Sequence, residues 1–171
     1  MRHTTTTALF QHSLQTTDRW LKEIMGELGW TDRHKAYTAL RATLHALRER
    51  LPVDECAQLS AQLPLVVRGV YWEGWNPSCT KPEHGTFLTE VHAAFKHDPK
   101  TDPEQVARAV FKALASEISA GEMEDVRSIL PQPIRRLMPA ADSDRSAPAP
   151  SRQREPVALE PGAVSAVRWG A

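Results

Sequence analysis

The residues best placed to do chemistry are cationic and evenly spaced. His34, Thr38, Arg41, His45 and Arg48 follow one another at intervals of 4, 3, 4 and 3. That spacing puts side chains on one face of a helix. Arg33, Lys35 and Arg50 lie close by in the sequence, with few acids among them. Such a face suits an anion or a nucleic-acid backbone, where cations displace condensed counterions. The competing expectation is a solvated face opposite Leu40, Leu44, Leu47 and Leu51. The chain carries 21 Lys+Arg against 21 Asp+Glu, so bulk charge selects no partner, and the solvated face is the expected one.

Cys79, His84, His92 and His97 have the spacing C-x4-H-x7-H-x4-H. A closed zinc site needs four convergent ligands. His92 and His97 are turned about 140° apart on a helix, so surface histidines are expected, with no metal and no cofactor. Tyr71, Trp72 and Trp75, with Glu73 and Gly74 among them, form the densest aromatic cluster. Aromatic side chains bury large areas and favour interfaces. The expectation is that they seal a joint within the protein, the alternative being a partner-binding patch. Arg68 and Arg135 are expected to reach helix ends or acids, because a buried arginine must be paired. Glu122, Glu124 and Asp125 fall in the first turn of a short helix, where the macrodipole favours acids. No nucleophile elbow, phosphate-cradling glycine loop or HExxH string occurs, and no enzyme is expected.

These residues must be positioned by helices. Leu21, Ile24, Met25 and Leu28 keep helical spacing, with Gly29 placed to close that helix. Asp32 caps a second helix that carries Tyr37, Leu40, Leu44, Leu47 and Leu51 and stops at Pro52. Asp54 starts a third with Leu59 and Leu63, and Pro64 a fourth with Val66, Val67, Val70 and Tyr71. A loop runs from Glu73 through Pro82 and Gly85. Phe87, Leu88, Val91 and Phe95 mark a fifth helix. Asp102 and Pro103 open a sixth, with Val106, Val110, Phe111, Leu114 and Ile118. Ser119 and Glu122 fit a capping box for a seventh, and Pro131 to Met138 closes the body. No stretch alternates with period two, so an all-α fold is expected.

The body repeats at an offset of 67 residues. Leu21 meets Leu88, Ile24 meets Val91 and Leu28 meets Phe95. Leu47 meets Leu114, Leu51 meets Ile118 and Leu59 meets Val126. Leu63-Pro64 meets Leu130-Pro131, Val67-Arg68 meets Ile134-Arg135, and Val70 meets Leu137. The expected architecture is two pseudo-repeated four-helix units, 14–72 and 86–138, packed into one helical domain over 14–138. Residues 1 to about 12 are expected to be loose. The Pro- and Ala-rich stretch 139–171 has little apolar periodicity and is expected to be a disordered tail. Its closing segment, with Val164, Val167 and Trp169, could serve as a tethered docking peptide, though an incidental terminus is the expected reading. Cys56, set between apolar neighbours, is expected to behave as a small buried hydrophobe.

The stretch Ala39 to Pro52, ending "LRERLP", and the stretch Leu63 to Pro77, reading "LP…R…Y…GW.P", resemble one bacterial family: the domain-of-unknown-function family numbered twenty-two sixty-seven. The resemblance covers about residues 14–138. It implies an all-helical bacterial domain and carries no catalytic residues. With no run of about 20 apolar residues and no leader-like start, a cytoplasmic chain with no membrane partner is expected. The expected role is a non-catalytic protein-interaction module whose protein partner and oligomeric state the sequence leaves open. A nucleic-acid-associated protein using His34, Arg41, His45 and Arg48 is the first alternative, a cryptic enzyme the second.

Overall fold

A computed structural model describes residues 3–76 and 85–139. Among the described residues all regular structure is helical, in eight segments: α1 (His3–Leu28), α2 (Arg33–Arg48), α3 (Val53–Gln62), α4 (Leu65–Trp72), α5 (Phe87–Ala93), α6 (Pro103–Glu117), α7 (Ala120–Ile129) and α8 (Gln132–Arg135). None is long and apolar enough to cross a membrane.

The caps explain where the chain turns. Gly29 ends α1 in the left-handed region, at φ 64°. Asp32 accepts the backbone N–H groups of His34 and Lys35. Asp102 accepts that of Glu104, with Pro103 behind it. Three boundaries differ from expectation. α1 begins at His3, so residues 3–12, expected to be loose, are helical and residue 14 falls inside a helix. α2 stops at Arg48 and α3 starts at Val53, because Pro52 stands at the N-cap of α3 rather than at the end of α2. Phe95 lies just past α5, held by its N–H to His92 O at 2.9 Å, and is still buried.

The core lies among α1, α2, α5 and α6. Each of α1 and α5 packs on both α2 and α6, and α2 packs on α6. Trp20, Ile24, Leu40, Leu44, Leu47, Val91, Val106, Phe111 and Leu114 fill the space between them, with Phe87 stacked on Phe111 at 5.8 Å between ring centroids. Burying this much apolar surface is the main favourable term in folding. Cys56 is buried, as its apolar neighbours suggest. α4 packs on α1, α2 and α3, and α3 packs on α7.

Ser119 caps α7 by accepting the Glu122 N–H at 3.3 Å, but the reciprocal half of the capping box is missing. The Ser119 N–H instead goes to Gln62 Oε1 at 3.4 Å, which ties α7 to the end of α3. Glu122 Oε1 is left buried without a partner.

Candidate functional site

The cationic stripe of α2 faces its own protein. α4 is only eight residues long, and its last carbonyls have no partner within the helix. Three side chains of α2 meet this end. His45 Nε2 lies 2.7 Å from Val70 O; a carbonyl can only accept, so the ring carries its proton on Nε2. Arg48 donates through Nη1 to Tyr71 O and to Glu73 O at 3.1 Å. Arg41 Nε donates to the Glu73 carboxylate at 2.7 Å. Cations at a helix C-terminus also meet the negative end of its dipole. Beyond this grip, Gly74 turns the chain at φ 65°, and the Trp75 N–H closes on Trp72 O at 3.2 Å.

Of His34, Arg41, His45 and Arg48, the four residues of the candidate binding face, His34 is exposed, Arg41 and His45 are partly exposed and Arg48 is buried. Arg48 is 4% exposed and out of reach of a phosphate. His45 is half-buried, and burial, ahead of the neighbouring cations, holds its pKa below the ordinary value. His34 is exposed at the start of α2, about four turns from Arg48. Arg41 holds the Glu73 carboxyl below its usual range. The acids missing from α2 itself come from other elements. Arg33 pairs with Asp18. Lys35 pairs with Asp98 at 2.6 Å and sits 4.1 Å over the Trp30 ring. Arg50 grips both oxygens of Glu90 at 2.9 Å. Cations already matched in this way release few counterions on binding a nucleic acid.

The aromatic residues divide. Tyr71 is fully buried, and burial, aided by the Cys56 thiol, pushes its phenol far up. Trp72 lies edge-on to Tyr71 at 5.0 Å and 4.4 Å from Trp75. Trp72 and Trp75 remain partly exposed. Arg68 takes the role expected of it, donating to Ser60 O, Ala61 O and Leu63 O at 2.7, 2.8 and 3.2 Å across the end of α3. Arg135 is exposed. Of the four histidine and cysteine positions weighed for metal, Cys79 and His84 lie outside the described residues. His92 is partly buried and His97 exposed. Among the described residues no group of three such ligands converges.

The feature the sequence reading missed is on α1. Leu9, Phe10 and Leu14 are 65%, 54% and 59% exposed. At 100° per residue, Leu9 and Phe10 continue the stripe that α1 buries at Ser13, Trp20 and Ile24. The body beneath that stripe ends, and the stripe does not. Ser13 marks the edge, where its Oγ accepts the Val66 N–H of α4 at 3.0 Å. Beside it opens a groove of about 470 Å³, lined by Leu9, His12, Thr16, Trp20, Pro64 and Leu65 among others. Leu65 on its far rim is 52% exposed. The signal was present in the sequence as Leu9, Phe10 and Leu14, but a polar threonine run masked it.

A family model described as "Uncharacterized conserved protein (DUF2267)" matches residues 17–137. No curated protein matches the chain.

Proposed function

Since the chain belongs to this DUF2267 family, which it matches over most of its length, we propose that it is a non-catalytic protein-interaction module. The observation that carries this reading is the set of exposed apolar side chains on α1, Leu9, Phe10 and Leu14, with Leu9 lining the groove that also holds the exposed Leu65. Large exposed apolar side chains beside a groove suit a contact site. Residues 6–12 are all exposed, and a helix of so few residues opening with four threonines is marginal by itself in water. A covering partner would supply the missing burial. The cationic stripe of α2, engaged with α4, leaves the nucleic-acid reading without a comparable surface.

The same proposal extends to the architecture: two four-helix units related by 67 residues. In support, α3 and α7 have both bounds 67 apart, and α4 and α8 begin 67 apart. Buried residues coincide at Ile24 and Val91, Ala39 and Val106, Leu44 and Phe111, and Leu63 and Leu130. α1 lies on α2 and α6 as α5 lies on α6 and α2. Arg41 and Arg108, also 67 apart, each reach the residue that caps the fourth helix of their own half, Glu73 and Arg136.

Photo-crosslinking in the native cell tests the interaction reading. A photoreactive residue at position 10 or 14 is expected to give an adduct of discrete mass. The same residue at position 104, exposed on α6, serves as the control. No adduct from positions 10 and 14 would overturn the reading.

A further inference from the structure

We propose that one proton, shared between Glu55 of α3 and Glu122 of α7, fastens these two helices together, so that their contact tightens as the pH falls. The inference goes beyond the interaction reading and does not depend on the apolar side chains of α1. Glu55 and Glu122 stand 67 residues apart, the offset at which the apolar positions of the two halves coincide. Each lies four residues before a buried apolar side chain, Leu59 on α3 and Val126 on α7. Side chains four apart share a face of a helix, so both carboxyls stand on the face that their helix buries. The two helices meet, since α3 packs on α7 and the Ser119 N–H at the start of α7 reaches Gln62 at the end of α3. Glu122 is 9% exposed. Its Oε1 and the Oε2 of Glu55 are buried, each without a hydrogen-bond partner.

Two carboxylates in one desolvated contact repel, and neither offers the other a donor. A proton on one of them changes both facts. It removes a charge, and its O–H donates to the carboxylate that remains, a charge-assisted bond of the stronger kind. The nearby cations are engaged elsewhere. Arg127 of α7 turns its Nη1 to Glu124 at 3.6 Å. Arg68 of α4, which also packs on α3, donates to Ser60 O, Ala61 O and Leu63 O. The charges acting on Glu122 are those of Glu55 and Asp125, both negative. Burial, ahead of these two acids, holds the Glu122 carboxyl above its ordinary 4.5. The stabilisation is therefore fully present below pH 4.5 and is lost as the pH rises through the folded value.

Hydrogen exchange of the α7 amides in the full chain, followed at about pH 4 and about pH 7, tests this. With rates referred to those of an unstructured peptide at each pH, wild type is expected to protect α7 severalfold more at the lower pH, while the amides of α6 change less. Glu55→Gln and Glu122→Gln each give the remaining carboxylate an amide donor. Each is expected to show, at about pH 7, the protection that wild type reaches only at the lower pH. Because one proton serves both residues, the double variant is expected to add little to either single change. The carbon-13 shift of the Glu122 carboxyl is expected to titrate at lower pH in Glu55→Gln than in wild type. An unmoved midpoint there, or single changes that simply add, would overturn the sharing. Equal protection of wild-type α7 at both pH values would overturn the latch. Protection raised at about pH 7 by millimolar calcium or magnesium chloride, and lost in both Gln variants, would assign the pair to a cation and overturn the proton.

Discussion

Arg48 does at the residue level what α4 cannot do for itself. A helix of two turns ends in carbonyls that its own amides cannot all serve, and the buried guanidinium takes up Tyr71 O and, just past the helix, Glu73 O. Arg48→Met removes these donors while keeping most of the volume. It is expected to cost roughly 2 to 4 kcal/mol, the desolvation of orphaned groups, read by urea unfolding. His45 contributes a pH dependence. Its folded pKa lies below the unfolded 6.5, so the unfolded chain takes up the proton more readily. The stabilisation is fully present above pH 6.5 and is lost as the pH falls below it toward the depressed folded value. His45→Gln keeps a donor for Val70 O and cannot titrate. Between about pH 7.5 and about pH 5, wild type is expected to lose stability that the variant retains, as measured by unfolding midpoints across the range.

At the scale of elements, α3 and α7 form the most unusual pair. They are joined by the Ser119 N–H to Gln62, yet they also hold Glu55 and Glu122, each with a buried carboxylate oxygen lacking a partner. Burial, with the Glu55 charge second, raises the Glu122 pKa above its ordinary 4.5. A raised acid is most compatible with the fold when protonated, so stability through Glu122 is present below pH 4.5 and lost as the pH rises through its folded value. Glu122→Gln is therefore expected to raise the unfolding midpoint at pH 7 and leave it little changed at pH 4. Ser119→Ala acts in the other direction. It strips the cap from α7 and is expected to cost about 1 kcal/mol at both pH values. Denaturant titrations of the two variants at each pH separate cap from charge.

Taken whole, the molecule is organised around one core. α2 and α6 touch each other and share α1 and α5, so neither half buries its apolar faces without the other. Leu44→Ala and Phe111→Ala, at fully buried positions 67 apart, are each expected to cost roughly 2 to 5 kcal/mol. Both should give a single transition in which fluorescence and far-ultraviolet circular dichroism coincide. Two separated transitions would mean that the halves unfold independently. The chain's charge is spent in the same distributed way. Asp18, Glu73, Glu90 and Asp98 each answer a cation of α2 or, in the case of Glu90, Arg50 just beyond it, from elsewhere in the chain.

The helices, most of their caps and the core positions were legible in the sequence because they rest on local rules. Side chains three and four apart share a face, Asp and Ser serve orphan amides, and Gly turns the chain where a side chain is strained. The family was legible in two short strings for the same reason. The meaning of the α2 stripe was not. Its spacing put Arg41, His45 and Arg48 on one face, but the acceptors they serve lie 23 to 32 residues away along the chain, and only packing α4 against α2 brings them together. Nor could periodicity separate Leu9 and Phe10 from Trp20 and Ile24. All four follow one apolar stripe, and it is the tertiary structure, by ending beneath Ser13, that buries the second pair and leaves the first exposed.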